Sequence, residues 1–196
     1  MLVCECDLVG ASDFVFGAPV SEPKLDDETH EAYEHRTWPK KVRMDDKGNA
    51  FIQPFALKNA LESSAKWLGK KIPGEGKKNY TARFRQGIMV ADRLMLINGD
   101  GGPVTIEKID GRPMFVPSTG VRGAGKRVER VFPTIDKWAT KAKIFIFDNK
   151  ITPDLMESHL KAAGRFIGFG SMRVENGGIN GRFAVENFES YEMSDE

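Results

Sequence analysis

The stretch Gly164-Arg165-Phe166-Ile167-Gly168-Phe169-Gly170-Ser171-Met172-Arg173-Val174-Glu175-Asn176-Gly177-Gly178-Ile179-Asn180-Gly181-Arg182-Phe183 decides how this chain is read. Six glycines alternate with Arg165, Arg173 and Arg182 and with Phe166, Ile167, Phe169 and Phe183. Flexible linkers lack such apolar anchors, so this is not a solvent tether. Glycine at this density lets backbone approach something closely or turn with positive φ. The arginines suggest that the something is anionic. Upstream, 152–163 has a helical pattern. Downstream, 182–189 alternates as a strand does. The local order is helix, glycine-rich loop, strand.

The chain has 196 residues, 40% of them hydrophobic and 29% charged, with a formal net charge of +1. That length suits one domain, and the 1–196 span is read as a single domain. Near neutrality leaves the distribution of charge, not its total, to identify partners. No apolar run has the ~20 residues of a membrane helix, so no membrane partner is expected. The early acids Glu5 and Asp7 do not make a secretory n-region. Cys4 and Cys6 fall on one face of a strand and are too close along the chain for an ordinary disulfide. A reduced, cytoplasmic setting follows, with no cofactor and no metal expected.

Met1 to Val9 reads as a first strand, and 10–50 as an excursion after it. Within the excursion Glu28 to Trp38 is a short helix ended by Pro39. His35 follows Glu31 by four residues, a spacing able to hold a metal, although a solvated polar face is the simpler reading. Pro54 to Leu68 is the strongest helix. Leu57, Ala60, Leu61, Ser64, Ala65 and Leu68 form one stripe, and Pro54 suits the first turn. Lys70 to Arg85 has six basic residues and one acid, with Tyr80 and Phe84 among them. Lys77, Lys78, Arg83 and Arg85 there suit either an exposed basic loop or a path for single-stranded nucleic acid.

Gly87 to Ile97 and Val104 to Ile109 read as a hairpin, and Asp110 to Pro113 as a turn. Ser118 to Arg130 reads as a projecting basic loop bearing Arg122, Lys126, Arg127 and Arg130. Gly120 to Lys126 imitates a phosphate loop, but Arg127 stands where a hydroxyl must hold magnesium, and no helix follows. Val131 to Thr140 is irregular in pattern, and Lys141 to Asp148 is a core strand. His159 is assigned to the surface of the penultimate helix, and the acidic tail 189–196 is expected to fray.

Without its insertions this order is β-α-β-β-α-β, an α+β, ferredoxin-like (RRM-like) plan with both helices on one sheet face. The other face and the basic insertions are left for binding. Ser118 to Lys143 holds seven Lys or Arg against Glu129 and Asp136. Acidic segments elsewhere balance it, an asymmetry that permits head-to-tail stacking of copies.

At this point the residues resemble the RAMP superfamily. Phe51-Ile52-Gln53-Pro54-Phe55-Ala56-Leu57-Lys58-Asn59-Ala60-Leu61 is similar to its Pro-Gly-Ser-Ser helix entry, with Gln-Pro-Phe-Ala in place of that run. Gly168 to Phe183 resembles its C-terminal glycine-rich loop. The resemblance implies a backbone subunit of a CRISPR-type effector complex, or a stand-alone, phage-borne relative that coats RNA. It implies that Lys58 and Asn59 lie near guide RNA, that Gly168, Gly170 and the loop to Gly178 pack near it, and that 110–140 acts as a thumb. Arg165, Arg173 and Arg182 complete the expected contacts. Implied partners are guide RNA, a complementary RNA or DNA target, copies of the chain and other effector subunits. Base pairing, not side chains, would read sequence.

Two alternatives stand beside this reading. One is a metal-dependent ribonuclease using Asp13, Asp26 or Asp27, since some relatives cut RNA with an acid in this loop. The other is a structural phage protein without nucleic acid. The reading preferred is a non-catalytic binder.

Overall fold

A computed structural model describes residues 1–121 and 123–193. The strands and helices are β1 (Leu2–Gly10), β2 (Phe14–Val15), α1 (His30–Thr37), β3 (Phe51–Ile52), α2 (Pro54–Leu68), α3 (Thr81–Gln86), β4 (Ile88–Met89), β5 (Leu94–Met95), β6 (Ile97–Asn98), β7 (Asp110–Pro117), β8 (Arg127–Ile135), β9 (Trp138–Ile146), α4 (Pro153–Ala162) and β10 (Phe183–Glu192).

The main sheet has the order β10-β1-β9-β4, with β6 also on β9, and every pair is antiparallel. Strung along the chain as β1, α2, β4, β9, α4 and β10, these are the elements of the expected β-α-β-β-α-β plan. The fold is α+β. β9 explains its central place by its own alternation. Trp138, Thr140, Ala142, Ile144 and Ile146 are buried, while Lys141 is exposed and Lys143 and Phe145 are half-exposed. On β1, Cys4, Cys6 and Leu8 share the buried face and sit opposite Ile144, Ala142 and Thr140. Burial raises the Cys4 thiol to about 11 and the Cys6 thiol to about 12, so both are inert neutral side chains of the core.

Helices α2 and α4 cover that face. The stripe of α2 is buried as its spacing requires, at Leu57, Ala60, Leu61, Ser64 and Ala65. Met156 and Leu160 of α4 are fully buried beside it. Thr152 caps α4 by accepting the Leu155 N–H, with Pro153 in the first turn.

His159 is not on the helix surface. It is fully buried, stacked on Phe84 at 4.4 Å between ring centres. Its Nδ1–H donates to the Leu155 carbonyl oxygen at 2.7 Å, while Nε2 has no partner among the described residues. The sequence pattern hid this because a polar residue at a core position of a short helix reads as exposed.

Four further segments depart from the expected layout. The hairpin expected between 87–97 and 104–109 is short, closed by Asn98 N–H to Gly102 O at 2.9 Å, Val104 N–H to Leu96 O at 3.1 Å and an Ile97↔Pro103 bridge, while the short strands β4 and β6 extend the main sheet along β9. Asp110 to Pro113, expected as a turn, is strand and runs on through Pro117, pairing with β8 from Asp110↔Thr134 to Pro117↔Arg127. The span 131–140 is not irregular either: it closes β8 and opens β9. Residues 189–192 do not fray, because β10 runs on beside β1 to the Leu2↔Glu192 pair, after a register shift between Glu5 and Asp7 where Asn187 takes φ 49°. Residues 194–196 lie outside the described residues.

Burial lowers the His159 pKa, since it penalises the imidazolium. The unfolded chain, with histidine near ~6.5, takes up a proton that the folded chain resists. His159 therefore supports full stability above that pH, and the support is lost as the pH falls below it. Thermal unfolding of the wild type and of His159→Phe, followed from about pH 7.5 to about pH 5, is expected to show the shallower acid decline in the variant.

Candidate nucleic-acid interface

The glycine-rich segment is built against the start of the excursion, not against solvent. Ala163–Ile167 forms a π-turn at the end of α4, and Gly164 is buried within it. A Cβ at Gly164 would lie 2.0 Å from the Phe183 carbonyl oxygen, so helix and last strand touch through that gap. Beyond the turn, Phe169 N–H donates to Gly181 O at 2.9 Å, Ser171 N–H to Val15 O at 2.8 Å, and Gly181 N–H to Asp13 O at 2.7 Å. Ala11 N–H donates to Arg182 O at 2.8 Å. Gly170 has φ 73°, and a Cβ there would sit 2.4 Å from Val15 O. Thus at Gly164 and Gly170 the partner of close approach is the protein's own backbone, a correction to the expectation of a ligand.

Aromatic rings hold the same seam from beneath. Phe16 meets Phe14 edge-on at 4.7 Å, Phe14 meets Trp138 at 5.5 Å, and Phe169 stacks on Phe183 at 4.6 Å. Trp138 lies 6.3 Å from Phe169 and joins the two pairs. Its indole N–H donates to the Ser12 carbonyl oxygen at 2.8 Å. These contacts use the ring edges and faces in their favoured arrangements.

Above the seam runs a groove of about 370 Å³. One wall is the first three turns of α2, at Phe55, Asn59 and Ser63; the opposite wall is the glycine loop from Gly168 to Arg173, and the floor is 14–19. No side chain caps the start of α2, whose N-cap is Gln53 and whose first turn contains Pro54. Pro54 has no N–H and Ala56 N–H donates to Gln53 O at 2.9 Å, so the helix offers the groove the Phe55 N–H and the positive end of its dipole, an arrangement suited to an anion. Arg43 stands at the same end. With the Gln53 amide oxygen turned toward it, that oxygen accepts from Arg43 Nε at 2.7 Å and Nη1 at 3.0 Å. Arg43 is exposed and forms no ion pair among the described residues. Arg173 faces it across the groove, its Nε on Glu175 at 3.0 Å. Lys41 also lines the groove but is occupied below, donating to Val131 O at 2.8 Å beside Glu34.

The expected contact residues do not all come together. Asn59, Gly168, Gly170 and Arg173 come together in the groove. Lys58 is half-buried on α2 and does not line it. Lys77, Lys78 and Arg83 line a second cleft. There Arg83 is held by Asp148, with Nη1 at 3.0 and 2.8 Å from the two carboxylate oxygens, and by Glu75. Arg85 is paired with Glu62 at 2.7 Å. Lys126, Arg127 and Arg130 lie on the β7–β8 hairpin, where Arg127 donates to Phe115 O at 2.8 Å. Arg122 lies outside the described residues. Arg165 is exposed over the Phe166 ring at 5.3 Å, and Arg182 is exposed with its backbone N–H on Ser12 Oγ at 2.9 Å. Arg43 and Phe55 are groove residues that sequence reasoning did not single out. A lone arginine before a turn carries no signal of its own.

The acids considered for catalysis are not gathered. Asp13 gives its carboxylate to Arg112 Nη1 at 2.6 Å, and Asp26 and Asp27 are exposed in the excursion. The open face of the main sheet is also unlike an RNA platform. By strand alternation it carries Glu5, Asp7, Glu186 and Glu189 against Lys141 and Lys143. Lys143 is tied to Glu5 at 3.1 Å, and Tyr191 OH donates to Glu5 at 2.8 Å. No helix among the described residues is long and apolar enough to cross a membrane.

Comparison with solved structures places this architecture. A chain of the type III-B Cmr-beta complex bound to cognate target RNA superposes with a TM-score of 0.53 at 9% identity, over 96% of this chain and 60% of that one. The two chains share a fold. This chain spans 60% of the length of that neighbour. Cmr6 from Pyrococcus furiosus gives a TM-score of 0.46 at 15% identity, over 93% of this chain and 97% of its own. No family model and no curated protein matches the sequence. The α+β fold expected from the sequence thus has its counterpart in a chain of that RNA-bound structure.

Because Gly170 combines positive φ with a backbone neighbour, Gly170→Ala is expected to cost about 2–4 kcal/mol. Chemical denaturation checks this; a midpoint equal to wild type would contradict the seam as described.

Proposed function

We propose that this chain binds guide RNA as a non-catalytic backbone subunit and presents it for pairing with a complementary nucleic acid. The observation that carries the reading is the groove between the uncapped end of α2 and the glycine loop, with Arg43 and Arg173 on its walls. The shared fold with a chain of an RNA-bound complex supports it. In this reading phosphates run past the Phe55 N–H and the two arginines, which supply sequence-independent affinity. The hairpin of β7 and β8, within the thumb-like insertion at 110–140, folds over the strand. Phe115 and Val121 are exposed on it and are available to wedge between bases, with Lys126 and Arg127 for the adjoining phosphates.

Copies follow one another head to tail in this proposal. The acid-rich sheet face and the basic hairpin give the charge complementarity such stacking needs. Cleavage is not part of the proposal, and the engagement of Asp13 by Arg112 supports leaving it out.

RNA is expected to copurify with the chain, and sequencing it identifies the guide. The double variant Arg43→Glu with Arg173→Glu is expected to lose most of that RNA while keeping the wild-type circular dichroism spectrum. It should also lower the salt slope of log affinity by roughly two, one per phosphate contact. An absorbance ratio of bare protein in the wild type would overturn the RNA reading. Native mass spectrometry on RNAs of increasing length tests the array: copy number should rise in steps with length, and a constant single copy would remove the head-to-tail element.

A further inference from the structure

The rim of the contact between α1 and the β7–β8 hairpin carries a cluster for which RNA binding has no use. Glu31 and His35 are one helical turn apart on α1 and so share a face. Glu129 of β8 comes against them from a distance of 94 residues in sequence. One ligand atom from each of the three lies within 4.8 Å of the other two. His35 Nε2 and Glu129 Oε1 are already 3.3 Å apart. Two ligands of a tetrahedral ion, each ~2.1 Å from it, stand ~3.4 Å from one another.

The charges on this rim are uncompensated. Nearby acids each have their own cation: Glu28 has Arg36, and Glu34 has Lys41. Among the described residues Glu129 has only His35, and Glu31 has no ion pair. Two carboxylates thus approach one another with one imidazole between them, an arrangement that a dication neutralises and that like-charge repulsion otherwise opposes. All three side chains reach solvent, so an ion can enter.

We propose that Glu31, His35 and Glu129 bind one divalent ion of the zinc class, with water completing the coordination. The imidazole favours such an ion over magnesium or calcium, which take oxygen ligands. Beneath the site Glu34 already accepts the Val131 N–H at 3.0 Å and fixes the inner side of α1 to β8. The ion clamps the outer side and so joins the excursion to the hairpin at two points across the helix. Since the three ligands converge only in the folded chain, the ion stabilises that state by mass action.

Chelator-treated, RNA-free full-length protein titrated with zinc chloride tests the site by calorimetry and thermal unfolding. One zinc per chain and a raised unfolding midpoint are expected, with no comparable effect of magnesium chloride. His35→Ala and Glu129→Gln should each weaken zinc binding at least about tenfold and abolish the rise in midpoint. Their metal-free midpoints report separately that both variants are folded. Absence of stoichiometric zinc binding would overturn the site, and so would unchanged binding in the His35→Ala, Glu129→Gln double variant. Neither result depends on RNA, so the RNA reading and this site fail independently.

Discussion

Much of this molecule rests on a seam of main-chain hydrogen bonds between residues 11–17 and residues 169–182. The two segments come from opposite ends of the sequence. The first leaves β1 and also pairs with β8 through Phe14 and Val15, and the second leaves α4. Joined, they satisfy amides and carbonyls of one another above the aromatic layer. Glycine is needed there because one backbone presses on another. The seam in turn fixes the glycine loop opposite the start of α2, and the groove exists because those two walls cannot drift apart.

Charge is sorted over this frame in a way that net charge conceals. The open sheet face carries Glu5, Asp7, Glu186 and Glu189, with Lys143 already committed to Glu5. Several cations of the basic stretches are likewise committed, Arg83 to Asp148 and Glu75, and Arg85 to Glu62. What stays without an acidic partner among the described residues is a smaller set, Arg43 beside an uncapped helix and the hairpin's Lys126, Arg127 and Arg130, while Arg173 across the groove is shared with Glu175. Under the proposed RNA-binding role, those positions are where a phosphate chain would be drawn, by contrast with an otherwise balanced surface.

Sequence alone conveyed the parts whose signals are local. The α2 stripe, the second half of β9 and the paired cysteines were legible because each obeys one period and buries one face. The plan of the sheet followed from their order. The hairpin was not legible: Pro113 and Pro133 read as breaks, yet Pro113 faces Val131 and Pro133 faces Gly111 in β7 and β8. Pro133 lacks an N–H but its carbonyl accepts from Phe16 N–H at 2.9 Å, so its strand keeps a neighbour. Ion pairs such as Arg83 with Asp148, 65 residues apart, leave no trace in any window of sequence. Arg43 was invisible for the same reason, because its importance comes from a helix that begins later in the chain.

The irregular register of β10 has a bearing on how copies can meet. β10 is the outermost strand of the main sheet, and beyond it lies a row of main-chain groups that another strand could match. Asn187, at φ 49°, breaks the straight run of that border, and Glu186, Glu189 and Glu192 ring it with like charge. A second copy offered there would meet a bent, negatively charged selvedge. Lateral growth of the sheet from chain to chain is thereby opposed at that margin.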